Sequence, residues 1–182
     1  MFEFEMISSN VYVNSVFWMV YVIAVVVAAE VYGYLWHRYG AHQGYVPGVK
    51  ETHQIHHMFD EAAGNEADED FVWILLLIIL FEVIVGSAVV IGLIPGILAI
   101  VTIITLSVVF VWNWWIHRSF HQPDHWLNDY AWFQQEKEIH LVHHRKPGHN
   151  YGVATHFNDR LFGTLHLPQD NPPSELEDNL KD

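Results

Sequence analysis

Residues 96–121 read GILAIVTIITLSVVFVWNWWIHRSFH. No charge occurs between Gly96 and Ile116, and the run then leads straight into His117 and His121. About 20 apolar residues is the length an α-helix needs to cross the hydrocarbon core of a bilayer. Spacing of i, i+4 puts both imidazoles on one face of that helix's continuation. Two further stretches have the same character: 11–35, almost wholly apolar from Val16 to Ala29, and 71–94 (FVWILLLIILFEVIVGSAVVIGLI). Pro95-Gly96 stops and turns the chain between the last two, which predicts a tight antiparallel hairpin. The first stretch lacks a basic n-region and an A-x-A cleavage site, so a retained helix is expected rather than a signal peptide.

The expected fold class is therefore an all-α integral membrane protein. It has about three transmembrane helices, with a helical cap over 117–166 that carries a histidine-rich dimetal site. Residues 1–168 form one domain on this reading, and 169–182 an acidic tail. Composition agrees, since 52% of residues are hydrophobic and only 16% are charged, which is too apolar for a soluble chain. The absence of cysteine excludes disulfides, zinc–thiolate sites, iron–sulfur clusters and thiolate-ligated haem. A formal charge of −13 with no basic patch argues against nucleic acid as a partner.

Ten of the fourteen histidines fall into four clusters. These are His37-Arg-Tyr-Gly-Ala-His42, His53-Gln-Ile-His56-His57, His117-Arg-Ser-Phe-His121 and His140-Leu-Val-His143-His144. Neutral imidazole is the commonest side-chain metal ligand, and ten at one membrane face can hold two ions. The two H-x-x-H-H runs each fall on one arc of a helix, at i, i+3, i+4. His37 and His42, five apart, diverge on an ideal helix, so Gly40 is expected to end or distort the helix there.

Three spans place the N-terminus and the 92–97 turn on one side of the membrane. All eight Lys/Arg and all fourteen histidines fall on the other. The positive-inside rule makes that histidine face cytoplasmic, in a bacterial inner membrane or its equivalent rather than the endoplasmic reticulum.

The ligand set narrows the metal. Structural zinc closes with four ligands, whereas five imidazoles leave a six-coordinate iron one open position. Magnesium and calcium want oxygen donors, and the H-E-x-x-H of zinc proteases is absent. Two iron ions with O2 as co-substrate are expected; zinc could occupy the site in a purified sample. No nucleotide or flavin signature is found, so electrons must come from a separate donor such as a ferredoxin or cytochrome b5-like protein, docking on Lys137, Arg145 and Lys146. A transition-metal transporter would place ligands near the bilayer midplane, and a haem protein would pair histidines within the spans.

The four clusters resemble the histidine boxes of the fatty acid hydroxylase / sterol desaturase superfamily. His149-Asn150-Tyr151-Gly152 through Asn158-Asp-Arg-Leu-Phe-Gly-Thr164 looks like the same superfamily's closing motif, with Asn158 where tryptophan is usual. The resemblance implies a membrane non-haem iron enzyme that uses O2 and external electrons to hydroxylate or desaturate a lipid. It makes His37, His42, His53, His56, His57, His117, His121, His140, His143 and His144 the metal ligands. Compactness and the short gap between His42 and His53 are also similar to the β-carotene hydroxylases. The closing motif instead favours a fatty-acyl or sterol-like substrate. The chain length leaves no room for an appended cytochrome b5 domain.

Other residues carry weaker expectations. Glu30, seven residues before His37, shares its helical face and could orient it. Glu136, four before His140, could accept that ligand's outer N–H. His125, beyond Pro123, leaves the face of His117 and His121 and reads either as a donor that supports the ligands or as a surface residue. His149, Asn150 and His156 are candidates for supporting the ligands, while His166 reads as structural. Glu82, deep in the second apolar stretch, suits a buried hydrogen bond between helices. Trp112, Trp114, Trp115, Trp126 and Trp132 suit an interfacial belt or the wall of a lipid channel. Residues 60–70 and the tail are acidic and polar, with no catalytic motif.

Overall fold

The computed structural model describes residues 11–46, 48–58 and 67–168, with backbone alone at 11–13, 67–74 and 77. The described residues are helical, with no strand among them. Helix α1 (Val11–Leu35) continues into a π-helical segment, Trp36–His42, and is followed by α2 (Val49–Met58), α3 (Ala67–Val90) and α4 (Gly96–Phe120). A 3₁₀ turn at Trp126–Asp129, α5 (Ala131–Arg145) and α6 (Phe157–Phe162) follow among the described residues.

The hairpin between α3 and α4 forms where Pro95-Gly96 requires it. Pro95 takes an extended conformation as the N-cap of α4, and its carbonyl accepts from Leu98 and Ala99 N–H. Gly92, at φ +75°, makes the reversal. Helix α3 starts at Ala67 and ends at Val90, shifted by four residues from the expected 71–94. Ala67–Asp70, expected within a polar linker, are thus helical. The remainder of that acidic segment and the 169–182 tail lie outside the described residues.

Two helices are long and apolar enough to cross a membrane, Asn14–His42 and Gly96–Phe120; Ile78–Val90 is a shorter apolar stretch. Only 6% and 11% of the most apolar windows of the two long helices is buried inside the protein. A core helix of a soluble fold would be mostly buried. Here Ile97, Ile100, Ile104, Val108 and Val111 project outward from α4, a contiguous apolar surface that water would penalise. Tyr21 ties α1 to α4 through Thr102 Oγ1 (2.6 Å) and the Leu98 carbonyl (3.3 Å). Since α1 and α4 both run toward the histidines, their C-terminal ends meet at one end of the bundle.

Helix α5 packs under that end. Its Phe133 joins Ile116, Phe120 and Leu127 in a buried apolar cluster, and Phe120 stacks on His140. Burying these rings at about 25 cal/mol per Å² fixes α5 against α4, and so fixes the helix that carries three of the clustered histidines. His125 caps the 3₁₀ turn, its Nδ1 accepting from Leu127 N–H at 3.3 Å. Its Nε2 lies 3.3 Å from the Ser119 hydroxyl, so its two ring nitrogens tie the turn to α4.

Candidate metal centre

The backbone solves the awkward spacing of His37 and His42 with a π-helix over Trp36–His42. Five residues at about 100° each leave such a pair roughly 140° apart on an α-helix. The i→i+5 repeat of a π-helix returns them to one face. Gly40 sits inside this segment, and a Cβ there would lie 3.3 Å from the Trp36 indole. The expected distortion is therefore a π-helix that continues α1, not a helix end.

Ten histidines converge, in two groups. His37, His42, His53, His57 and His143 form one; His56, His117, His121, His140 and His144 form the other. Within each group the ligand-capable nitrogens all lie within 4.8 Å of one another. The partition has an internal symmetry. Each group takes one pair from the C-terminal end of a long apolar helix (His37 and His42, or His117 and His121) and one i, i+4 pair from an H-x-x-H-H helix (His53 and His57, or His140 and His144). The middle histidine of each triplet crosses over: His56 joins the second group and His143 the first.

The nitrogen–nitrogen distances fit metal ligation. In the first group, Nε2 separations are 3.0 Å (His37–His53), 3.2 Å (His37–His42), 3.1 Å (His42–His143), 3.1 Å (His42–His53) and 3.0 Å (His53–His57). In the second they are 3.1 Å (His56–His117) and 3.0 Å for both His121–His140 and His140–His144. Metal–imidazole bonds of about 2.1 Å at right angles put neighbouring nitrogens about 3.0 Å apart, against about 3.4 Å for tetrahedral angles. Five corners of an octahedron match these edges better than a closed tetrahedral site does.

The chemistry of the rings points the same way. His37 Nδ1 donates to the Tyr151 carbonyl at 2.7 Å, and His143 Nδ1 donates to the His149 carbonyl at 2.6 Å. A neutral ring that carries its proton on Nδ1 presents a bare lone pair at Nε2. His42 Nε2 and His143 Nε2 are 3.1 Å apart, so the His143 lone pair faces its neighbours with no proton to share, which suits a central cation. Burial, reinforced by the neighbouring imidazoles, holds His53, His140, His143 and His144 well below the ordinary histidine range. All four are neutral at pH 7, the form in which imidazole can bind a metal.

The closing motif supports the first group through the backbone. Asp159 is fully buried and accepts Tyr151 N–H and Gly152 N–H, both at 2.8 Å, and the Thr164 hydroxyl at 2.7 Å. It thereby fixes the peptide whose carbonyl receives His37. Burial alone would raise the Asp159 carboxyl, but these hydrogen bonds and His156 bring it below the usual carboxylate range. Gly152 leaves no room for a side chain, because a Cβ would collide with the Thr155 carbonyl and lie 2.8 Å from Asp159 Oδ2. Asn150, at φ +53°, clamps the segment: Nδ2 donates to the Ile139 and His166 carbonyls, and Oδ1 accepts His166 N–H.

Several expected supporting contacts are made elsewhere. Glu30 does not orient His37: its Oε1 accepts Asn113 Nδ2 at 3.1 Å and its Oε2 the Thr155 hydroxyl at 2.9 Å. Glu136 pairs with His156 Nε2 at 2.9 Å, not with His140. His149 contributes its carbonyl to His143, while its ring packs against His166. His156 bridges Glu136 and Asp159. His166 contacts the Lys146 ammonium at 3.3 Å. Glu82 is half-buried on α3, with no hydrogen bond from it among the described residues. Tyr151 and Asp159 stand in the closing motif, but the motif does not reveal that they anchor His37; for Asn113 the visible signal is a polar residue between two tryptophans in an apolar run.

A cavity of about 130 Å³ opens beside the histidines. His37, His53 and His117 reach it, so both groups touch it, and Glu30, Trp36, Phe110, Asn113 and Trp114 form part of its wall. Trp112, Trp126 and Trp132 are instead exposed on the surface. A second, apolar cavity of about 370 Å³ between α1, α3 and α4 shares Ala29, Tyr32 and Phe110 with the first. The histidine groups lie where α1 and α4 end, not at mid-span, which leaves a midplane transporter site or a haem pair without residues among those described. No curated protein and no solved structure matches the chain. The fatty acid hydroxylase profile matches residues 22–164, a stretch that holds all ten clustered histidines and ends at Thr164 of the closing motif; the chain belongs to the fatty acid hydroxylase family.

Proposed function

We propose that this protein is a membrane-embedded, di-iron, O2-dependent hydroxylase of a lipid. The observation that carries this reading is the division of ten histidines into two five-imidazole groups facing one cavity. Five imidazoles per ion favour iron with an open position over closed zinc. His37, His42, His53, His57 and His143 would hold one ion, and His56, His117, His121, His140 and His144 the other. Bound iron would supply the activation of O2 that no side chain can provide.

The protein's own contribution is position, tautomer and dryness. The Tyr151 and His149 carbonyls keep the His37 and His143 lone pairs aimed inward. Trp36, Phe110 and Val109 line the cavity and exclude water from the reacting carbon. The adjoining apolar cavity, walled by Leu80, Phe81, Ile84 and Leu106, gives a hydrocarbon chain a route from the bilayer. That placement suits a fatty-acyl or sterol-like lipid, because a soluble metabolite would gain nothing from it. In this reading α3 is the third span, the histidine end is cytoplasmic, and a separate ferredoxin or cytochrome b5-like protein delivers electrons to the α5 side, where Arg145 is exposed.

The test is comparative lipidomics of cells expressing the wild type and His143→Ala. A wild-type-specific product heavier by about 16 mass units is expected for hydroxylation, and a loss of about 2 would indicate desaturation. No lipid change in the presence of iron and an electron donor overturns the enzyme reading.

A further inference from the structure

The cavity beside the histidines contains a carboxylate that ligation does not use. Glu30 lies on its wall, and the residues that hold Glu30 come from two other elements, Asn113 of α4 and Thr155 of the closing motif. Asn113 is spent in place. Its amide donates to Glu30 and to the Val109 carbonyl at 3.0 Å, and its oxygen accepts Ala154 N–H at 3.2 Å. Glu30 is not spent: a carboxylate offers about four acceptor positions, and two donors occupy it. No Lys, Arg or His pairs with it among the described residues. A carboxylate placed in an apolar wall within a membrane span is costly, and such residues mark binding paths.

We infer that the lipid substrate carries an uncharged hydrogen-bond donor, a hydroxyl or amide N–H, which Glu30 receives inside this cavity. The inference rests on the lipid-oxidase reading and narrows its substrate. A free fatty acid would bring a second carboxylate against Glu30, and like charges in a low-dielectric wall repel. A pure hydrocarbon would leave the acceptor capacity of Glu30 unmet. An alcohol or amide satisfies it with a charge-assisted bond, the stronger kind. Seven residues separate Glu30 from His37, about 10 Å along the helix axis. The oxidised carbon therefore lies several bonds from the donor group, with the intervening hydrocarbon running from Glu30 toward the histidines along the same cavity.

The test measures binding without turnover, using the full-length protein in nanodiscs and three probes of equal chain length: 1-octadecanol, octadecanoate and octadecane. Trp36 and Trp114 line the cavity, so tryptophan fluorescence reports occupancy. The wild type is expected to bind octadecanol about tenfold more tightly than either other probe. Glu30→Gln removes the charge and should erase the disadvantage of octadecanoate. Glu30→Leu removes the acceptor and should erase the advantage of octadecanol over octadecane. Far-UV circular dichroism checks the fold of both variants, and Glu30→Gln alone decides the matter if Glu30→Leu does not fold. Equal wild-type affinity for octadecanol and octadecanoate, or a disadvantage of octadecanoate that survives Glu30→Gln, overturns the inference. Because no oxidation is required, these outcomes stay distinct from a failure of the hydroxylase reading, which would appear as absent product with every lipid.

Discussion

Asp159→Asn is a near-isosteric change that should weaken one metal group and spare the other. In the wild type, Oδ1 accepts Tyr151 N–H and the Thr164 hydroxyl, while Oδ2 accepts Gly152 N–H and lies 3.4 Å from His156 Nδ1. Asparagine replaces one of these oxygens with an amide that can only donate. Two buried donors then face a third donor. Each unsatisfied buried donor costs about 1–3 kcal/mol, so the expected loss of stability is about 2–6 kcal/mol, a large share of the 5–15 kcal/mol typical of a domain. The second consequence is directional. The Tyr151 peptide positions the carbonyl that holds His37, and losing such an outer partner typically lowers metal affinity by about 10–100-fold. The group containing His56, His117, His121, His140 and His144 has no hydrogen bond to this peptide. Competitive titration of the purified protein against a chelator should therefore show one site weakened and one unchanged. Equal weakening of both sites, or loss of stability with both affinities intact, would refute the chain of contacts from Asp159 to His37.

Other perturbations follow from the same segment. Gly152→Ala forces a Cβ into the Thr155 carbonyl; overpacking of this kind costs about 1–3 kcal/mol, and a lowered urea midpoint with selective loss of the first metal group is expected. For His156, burial pushes the imidazole down, but hydrogen bonds and charge from Asp159 and Glu136 more than offset it and lift the group to about 9. A raised histidine stabilises the fold fully below its unfolded value near 6.5, and that contribution, about 3 kcal/mol, is lost as pH rises through about 9. The urea midpoint in detergent should fall between pH 6.5 and 9.5 for the wild type and stay flat over that window for His156→Gln; a flat wild-type profile would remove the ion pair from the account. His166→Ala, which removes the ring contacts to Lys146 and His149, should keep both metals.

Much of this arrangement was legible as spacing. The unbroken apolar run into His117 and His121 gave both a membrane helix and the face on which it ends, because the 3.6-residue period carries through both. Pro95-Gly96 gave the hairpin. The spacing of His37 and His42 gave the need for a distortion but not its kind, since an i→i+5 ladder has no sequence rule comparable to a cap. The partition of the ligands was hidden for a geometric reason. An H-x-x-H-H triplet reads as one arc, yet the middle ring of each triplet is delivered to the other group, and only the meeting of the α2 and α5 histidine rings decides that. Glu30 and Glu136 show the limit of single-helix reasoning: each lies on the expected face, but Asn113, Thr155 and His156 arrive from elements distant in sequence and take up the carboxylates instead. Asp159 acts through two peptide bonds, which no side-chain pattern reveals.

Metal stoichiometry after anaerobic reconstitution tests the two-group arrangement most directly. The wild type should bind two iron ions per chain. His57→Ala and His143→Ala, from different sequence clusters but one spatial group, should behave alike and weaken the same ion, while His56→Ala and His144→Ala should weaken the other. One ion or none in the wild type, or variants that sort by sequence cluster rather than by spatial group, would contradict the dimetal centre.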